Sequence, residues 1–229
     1  MKIRLRRLPV EVHGIYTIAG VPGRMPPRAL FLEPEAADSF TTQLLDRVVV
    51  SDVLRSAESS LNAVRRGRGA QAPGFSAHNY GKAIDLDVKA TMKALGLKTK
   101  AELDAWMERR GWYCHRRDHR MDSESWHYNF LGVGYVVSAK SKRTSGDVEA
   151  LIVRQYGADM VPGDSQCQAM LASLRMYHGE VDGIVGDMTR EAVRVFQRAW
   201  ASKRVKETGK LDADTRRTLA FVTATLDIV

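Results

Sequence analysis

Residues 76–88 read Ser-Ala-His-Asn-Tyr-Gly-Lys-Ala-Ile-Asp-Leu-Asp-Val, and this stretch decides how the first part of the chain is interpreted. Its second half alternates apolar residues with Asp85 and Asp87, which predicts a strand with one acidic face. Gly81 permits a tight turn just before that strand, because glycine tolerates backbone conformations that other residues avoid. Such a turn would bring His78 close to Asp85, so the segment offers an imidazole and a carboxylate at one place.

A second polar cluster stands at Glu124-Ser-Trp-His127, next to an aromatic segment that runs to Phe130. A carboxylate inside a sheet protein is costly unless a cation neutralises it. Three protein ligands of histidine and carboxylate type, with a fourth position left open, describe a catalytic zinc site better than a structural one. Each of these residues alone is more often an ordinary hydrogen-bonded group. Together, on either side of a strand–helix–strand pattern, they indicate a bound metal.

The paired pattern Ser-x-His-x-x-Gly-x-Ala-x-Asp and Glu-x-Trp-His, within residues 48–134, resembles the zinc peptidases of bacterial cell walls. That group includes the vancomycin-resistance D,D-carboxypeptidases and the L-alanyl-D-glutamate endopeptidases of phage endolysins. The resemblance implies Zn²⁺ held by His78, Asp85 and His127. It also implies that Glu124 is the general base, which takes a proton from the zinc-bound water and passes it to the departing amine.

Three further residues receive roles from the same resemblance. Arg55, in Ser51-Asp-Val-Leu-Arg55-Ser56, matches an arginine of the family that would stabilise the developing oxyanion or hold a substrate carboxylate. Ser76 is assigned a supporting or substrate-contacting role, and Trp126 is assigned to substrate contact.

Two neighbouring features also contain residues that could take part in a metal site. Asp87 shares the predicted face of Asp85, where it would either orient a ligand or lie at the surface. The stretch from Cys114 to Asp122 also contains potential ligands, but its arginines oppose metal binding, and we interpret it as an exposed loop.

The remaining patterns of the first part predict a mixed α+β domain. Ser56 is placed as a helix N-cap, and Thr99 with Glu102 is placed as a capping box. Predicted helices cover 35–46, 56–66 and 99–110, and predicted strands cover 48–50, 84–88, 112–114, 126–130 and 133–137.

Charge and cysteine content narrow the class of protein. Residues 1–145 hold 24 Lys and Arg against 15 Asp and Glu, whereas residues 146–229 are close to neutral. A basic field of this kind favours polyanions such as nucleic acid, anionic membrane surfaces or the acidic polymers of a bacterial envelope, or it is simply a solvated face. The two cysteines, Cys114 and Cys167, are expected to be free thiols.

The second part predicts three short helices, over about 167–177, 189–200 and 214–226. The glycine-rich turns Asp182-Gly-Ile-Val-Gly-Asp-Met-Thr189 and Thr208-Gly-Lys-Leu-Asp-Ala-Asp-Thr215 form a faint internal repeat. This part resembles the common peptidoglycan-binding three-helix domain. Its core is predicted to contain three apolar residues: Leu171, Val193 and Phe196.

The sequence therefore predicts an α+β zinc peptidase domain with a small antiparallel sheet, followed by a small all-α three-helix bundle. The domains are placed at residues 1–140 and 148–229. The linker is placed at residues 141–147, where no large apolar residue occurs and the charge balance changes.

The resemblances imply a phage-type endolysin that hydrolyses an amide bond in the peptide stem or cross-link of peptidoglycan. A bacterial D,D-carboxypeptidase that trims terminal D-alanine remains the alternative enzyme. A non-catalytic wall-binding or signalling protein, as among the hedgehog relatives, remains open as a different class. A nucleic-acid binder would explain the basic half but not the zinc constellation.

The expected partner is bacterial peptidoglycan, with no nucleic acid and no integral membrane segment. We expect a monomer. The basic N-terminus is not followed by an apolar core, so the chain is expected to be made in the host cytoplasm without a signal peptide. It would then reach the cell wall or periplasm only after release.

Overall fold

The computed structural model of the chain describes residues 6–8, 31–67, 71–114, 121, 124–133, 152–155, 157 and 161–225. Contacts divide these residues into two compact units. The sheet unit comprises the described residues within 4–55 and 80–152, and the bundle unit comprises those within 56–79 and 153–229. The predicted division at 140 and 148 stays a prediction, and its linker at 141–147 lies outside the described residues.

The sheet unit contains two antiparallel sheets. The smaller one pairs β1 (Arg6–Arg7) with β2 (Phe31–Leu32). The larger one has the order β3-β4-β6-β5, with all neighbours antiparallel. Its strands are β3 (Val50–Asp52), β4 (Ala83–Leu86), β5 (Trp112–Cys114) and β6 (His127–Phe130).

Short helices connect and cover these strands. They are α1 (Pro34–Ser39), which continues as one wider turn over Phe40–Leu44, α3 (Val88–Leu95) and α4 (Lys100–Glu108). One face of the larger sheet and the helices enclose an apolar core, whose largest fully buried side chains are Leu32, Phe40, Leu44, Ile84, Leu103, Met107, Trp112 and Tyr128. Since side chains alternate along a strand, Asp85 lies on the opposite face from Ile84 and Leu86.

The bundle unit is helical. It contains α2 (Ala57–Arg65), the segment 71–79, and the helices α5 (Asp164–Ser173), α6 (Asp187–Ala199) and α7 (Ala213–Thr225). The predicted core residues Leu171, Val193 and Phe196 are all fully buried, which confirms that prediction. Helix α2 packs against α7, so a segment from the first part of the sequence belongs to the same unit as the C-terminal helices.

Two buried glutamines form equivalent hydrogen bonds to the two turns of the internal repeat. Gln168 accepts a hydrogen bond from the Gly183 amide (2.7 Å) and donates to the Ile184 carbonyl (3.0 Å) and the Thr189 hydroxyl (3.2 Å). Gln197 does the same with the equivalent residues of the second turn: it accepts from the Gly209 amide (2.8 Å) and donates to the Lys210 carbonyl (3.0 Å) and the Thr215 hydroxyl (3.1 Å). Each pair of partners is separated by the same 26 positions. The two turns are therefore equivalent in register and hydrogen bonding.

Local signals at the helix ends were predicted well. The Ser56 hydroxyl accepts from the Ser59 amide at the start of α2, and the capping box of Thr99 and Glu102 opens α4. The predicted helices and strands are recovered within a few residues, with two exceptions. The strand predicted over 84–88 ends at Leu86, because the Asp87 side chain accepts from the Ala90 amide and starts α3, which was not predicted. Of the strand predicted over 133–137, Val133 lies in a turn and the rest falls outside the described residues.

Both cysteines are buried free thiols, as expected from the sequence. Burial raises the pKa of the Cys167 thiol to about 11, which keeps it protonated near neutral pH. None of the helices in the described part of the chain is both long enough and apolar enough to span a bilayer.

Candidate metal centre

Three polar residues lie in one row across the larger sheet. Strand register pairs Asp52 of β3 with Asp85 of β4, and Asp85 with His127 of β6. Residues directly opposite each other on antiparallel strands point to the same face, and their Cβ atoms are about 5 Å apart. The sheet therefore gathers Asp52, Asp85 and His127 on the face turned away from the apolar core. The hydrogen bonding extends one residue beyond the start of β6, where the Leu86 amide donates to the Trp126 carbonyl (2.9 Å).

His78 stands in a tight 3-10 turn, Ala77–Tyr80, just before β4. The neighbouring Asn79 organises the approach to this turn, and sequence reasoning missed its role. Its Oδ1 accepts from the amides of Gly74 (3.0 Å) and Ser76 (3.2 Å), and its Nδ2 donates to the Ser60 hydroxyl (2.9 Å). Asparagine adjacent to a glycine-containing loop was the available signal, because its short side chain commonly bonds to nearby backbone.

The predicted ligands come together. One potential ligand atom each from His78, Asp85 and His127 lies within 4.8 Å of the others. All three residues are buried, with 1%, 8% and 4% of their surface exposed. Two imidazole nitrogens and one carboxylate oxygen are the donor set of catalytic zinc sites that keep an open position. The residues thus fit a zinc ion.

The two ring nitrogens of His127 have different partners. Nδ1 lies 2.9 Å from Asp85 Oδ1, and Nε2 lies 3.1 Å from Asn129 Oδ1. The amide oxygen of Asn129 can only accept, and in the tautomer in which Nε2 donates to it the lone pair of a neutral ring lies on Nδ1. That lone pair then faces Asp85 Oδ1 (2.9 Å), and the nitrogen and the oxygen together form a donor pair suited to a cation. Asn129, which sequence reasoning also missed, therefore directs Nδ1 of His127 toward the metal position.

Arg55 bridges two carboxylates beside the cluster. Its Nε and Nη2 donate to Asp52 Oδ2 (3.0 and 2.5 Å), and Nη2 lies 3.6 Å from Asp85 Oδ2. The Arg55 side chain is about one-fifth exposed, so its guanidinium is reachable from the site. The predicted arginine is thus adjacent to a predicted ligand. Asp52, which was not singled out from the sequence, holds the guanidinium in place.

Glu124 has an unusual backbone conformation. Its φ is +67°, in the left-handed region that non-glycine residues enter only at a cost of about 1–2 kcal/mol. The Glu124 carbonyl accepts from the His127 amide (3.2 Å), so this strained residue starts the turn that leads into β6. Backbone strain of this kind clusters at functional sites, where the side chain cannot be exchanged for glycine.

The two predicted substrate contacts differ in exposure. Ser76 is buried, and its hydroxyl accepts from the His78 amide (3.4 Å), so in this structure it supports the ligand turn. Trp126 is 39% exposed beside His127. Most of the Cys114–Asp122 loop lies outside the described residues.

A buried network on the other face of the sheet fixes β6. The Tyr128 hydroxyl donates to Asp104 Oδ1 (2.7 Å) on α4, and Asp104 forms an ion pair with Lys100. Burial and the nearby Asp104 charge hold the pKa of Tyr128 far above its ordinary value, so the phenol remains a donor. Since Tyr128 follows His127 directly, this network holds strand β6 in place from the core side of the sheet.

The comparison with known families concerns the bundle unit. Residues 163–219, a quarter of the chain, match the family model of a peptidoglycan binding domain. The matched stretch contains α5, α6, both glycine-rich turns and the first half of α7. A search of curated proteins gave no match. The match supports association with the cell wall and peptidoglycan as a partner.

Proposed function

We propose that this chain is a zinc metallopeptidase of the phage endolysin type, which hydrolyses an amide bond in the peptide stem or cross-link of bacterial peptidoglycan. The observation that carries the proposal is the buried cluster of His78, Asp85 and His127, in a chain that also has a peptidoglycan-binding domain. A metal-type donor set and a wall-binding module in one chain favour chemistry on the wall over simple attachment.

The metal would be held by His78, Asp85 and Nδ1 of His127. When bound there, zinc supplies the positive charge that makes a water molecule nucleophilic near neutral pH and polarises the substrate carbonyl. Asp85 would contribute a negative charge, and a hydrogen bond from His127 Nε2 to Asn129 Oδ1 would favour the tautomer whose Nδ1 lone pair binds the metal. One oxygen of the Asp85 carboxylate lies beside His127 and the other beside Arg55, and these two contacts limit the rotation of the carboxylate.

Glu124 would move the protons. Glu124 precedes His127 by three residues, at the start of the turn that leads into β6, and its carboxylate would accept a proton from the attacking water. The same carboxyl group would then donate that proton to the leaving amine. A positioned acid–base group of this kind contributes about 10²–10⁴-fold to the rate.

Arg55 and Trp126 would hold the substrate. The Arg55 guanidinium carries fixed donors that suit a carboxylate or a developing oxyanion, and Asp52 keeps it aimed. Peptidoglycan stems end in carboxylates, so Arg55 supplies the complementary charge. The exposed part of Trp126 offers an apolar surface to the methyl groups of the stem.

A D,D-carboxypeptidase remains the second candidate, because Glu-x-Trp-His is closer to that branch of the resembling family. In both cases the substrate lies in the wall or periplasm. We further propose that it acts as a monomer.

Mass spectrometry of the fragments released from purified peptidoglycan tests the proposal. The zinc-loaded protein is expected to release fragments with new amino and carboxyl termini within the stem or cross-link, whereas Glu124→Ala is expected to release almost none. Loss of only the terminal D-alanine would favour the carboxypeptidase. If neither fragments nor free D-alanine appear with the zinc-loaded protein, the proposed peptidase activity is wrong.

A further inference from the structure

The two equivalent turns of the bundle unit carry different side chains. Each hydrogen-bond partner of Gln168 in the first turn stands 26 positions before the equivalent partner of Gln197 in the second. The same offset therefore matches the other residues of the two turns. Three positions of the first turn are Val181, Ile184 and Met188. Their counterparts in the second turn are Glu207, Lys210 and Asp214.

The three aliphatic side chains are largely in solvent. Val181, Ile184 and Met188 are 51%, 70% and 62% exposed. The second turn has the same backbone hydrogen bonds with charged residues at these places, so the fold of such a turn does not require apolar side chains there. An exposed apolar cluster that the fold does not need is a candidate contact surface. We call these three residues the aliphatic patch.

The charge around the aliphatic patch also differs from that around its counterpart. Residues 178–190 contain three acidic residues and one arginine, whereas the matching residues 204–216 contain four basic and three acidic residues. Asp182 lies between Val181 and Ile184 in sequence, and hydrogen bonds from Gln168 and the Ile184 amide lower the pKa of its carboxyl group. The Asp182 carboxylate therefore stays ionised, and the first turn combines apolar groups with excess negative charge.

The occupant that fits this chemistry is a peptide. Stem peptides of peptidoglycan present alanine methyl groups and the amino group of a diamino acid, which complement aliphatic side chains and carboxylates. Sugar rings are usually bound by aromatic faces, and none of the exposed large apolar side chains in residues 161–225 is aromatic. The first turn thus matches the peptide part of peptidoglycan better than the glycan part.

We propose that Val181, Ile184 and Met188 form the surface through which the bundle unit binds the peptide stems of peptidoglycan. Aliphatic contact with alanine methyl groups supplies most of the affinity, and the nearby carboxylates orient the diamino acid. The second turn plays no part in binding and serves the fold. This inference rests on the wall attachment included in the proposed function, and it names the residues and the part of the polymer involved.

The test replaces the aliphatic patch with the charged residue types that stand at the corresponding positions of the second turn. The full chain carries Glu124→Ala, so that the wall stays intact, and V181E, I184K and M188D are added together. Sedimentation with purified sacculi is measured in 1 M salt, where a Debye length of about 3 Å screens attraction by the basic first part of the chain. We expect the triple variant to bind at least tenfold more weakly, with an unchanged melting temperature. Ile184→Lys alone is expected to lower binding in the same direction.

The matched control is Lys210→Glu, an exposed residue at the position of the second turn that corresponds to Ile184. It is expected to bind sacculi like the parent protein. Immobilised glycan strands from which an amidase has removed the stems are expected to bind none of the proteins.

The outcomes separate this inference from the proposed function. Undiminished binding by folded triple and Ile184→Lys variants, or retained binding to stripped glycan, overturns the inference alone. Failure of the parent protein to sediment with intact sacculi overturns wall attachment itself.

Discussion

The hydroxyl of Thr218 donates a hydrogen bond to the carbonyl oxygen of Pro73 (3.3 Å), across 145 positions of sequence. Helix α7 meets the same segment at two more places. A Cβ on Gly74 would lie 3.3 Å from the Phe221 Cβ, and the Phe75 ring has the Arg217 guanidinium 5.1 Å from its centroid. The helix that ends the bundle therefore packs directly against the segment that leads to His78.

This packing predicts that Gly74→Ala weakens both the fold and the metal site. The φ of Gly74 is +86°, and the added methyl group would press on Phe221. Because the Gly74 amide donates to Asn79, the displacement would reach the turn that carries His78. We expect a lower melting temperature and weaker zinc binding in a titration against a chelator of known affinity.

Gly67→Ala is the matched control for that experiment. Gly67 has a similar φ of +67°, but a Cβ there would meet nothing within 4 Å. It should show only the backbone cost of about 1–2 kcal/mol and normal zinc binding. Equal zinc affinities in the Gly74→Ala and Gly67→Ala proteins would show that the packing does not support His78.

Zinc content should depend on the three clustered ligands. His127→Ala removes one of two imidazoles and leaves Asp85 without its neighbour, so we expect less than a tenth of the zinc of the parent protein by elemental analysis. His178→Ala removes an exposed histidine of the bundle unit and should leave the zinc content unchanged. Full zinc in the His127→Ala protein would exclude the assigned site.

Asn129 should act through the His127 ring. Asn129→Leu keeps the volume but removes the acceptor for Nε2, and loss of such a supporting partner typically weakens metal binding about 10–100-fold. Leucine also removes Asn129 Nδ2, which is buried and has no hydrogen-bond partner among the described residues. It leaves the buried Nε2 of His127 without its acceptor, at a cost of about 1–3 kcal/mol, so the zinc affinities are compared in proteins shown by their melting temperature to be folded.

Asn129→Asp keeps an acceptor oxygen for Nε2 and should retain most of the zinc affinity. If Asn129→Leu binds zinc as tightly as the parent protein, the tautomer is fixed by something other than Asn129.

Much of the fold was readable because its signals are local. A serine or threonine at the N-cap position marks a helix start, and at Thr99 the signal is strengthened by Glu102 three positions later. Both Ser56 and Thr99 cap helices as predicted. The period of two in Ile84, Leu86 and Val88 was misleading at its last member, because nothing in the spacing shows that Asp87 turns back to cap a helix.

The clustering of the three predicted ligands could also be foreseen from the sequence, whereas the residues that support them could not. His78, Asp85 and His127 form a recognisable pattern of residue types and spacing. The roles of Asn79 and Asn129 depend on which backbone or ring atoms come near, and that is decided by strand register and by a turn. The packing of Pro73 against Thr218 joins residues too distant in sequence for any periodic pattern to connect them.

The equivalence of the two turns predicts equivalent mutational costs. Gln168→Leu and Gln197→Leu each leave a buried threonine hydroxyl and two backbone groups without their glutamine partner, and an orphaned group that stays buried costs about 1–3 kcal/mol. Both should lower the free energy of unfolding in urea by similar amounts. Gln166→Leu, an exposed residue that accepts only from the Gly163 amide, should cost far less. A small cost at one buried glutamine and a large one at the other would show that only one of the two turns depends on its glutamine.

Glu124 allows a test that goes beyond loss of activity. Its backbone conformation favours glycine, whereas its proposed role as the base requires the carboxylate. Glycine is the residue that a φ of +67° favours, so Glu124→Gly should remove strain and leave the melting temperature unchanged or higher. The same change removes the proposed base, so wall-degrading activity should fall by about 10²–10⁴-fold in the zinc-loaded protein. Glu124→Ala keeps the strain and loses the base, so it should match the glycine variant in activity but not exceed it in stability. A more stable and inactive Glu124→Gly protein with normal zinc content would indicate a residue kept for chemistry at the expense of the fold. Near-normal activity in that protein would remove Glu124 from the mechanism.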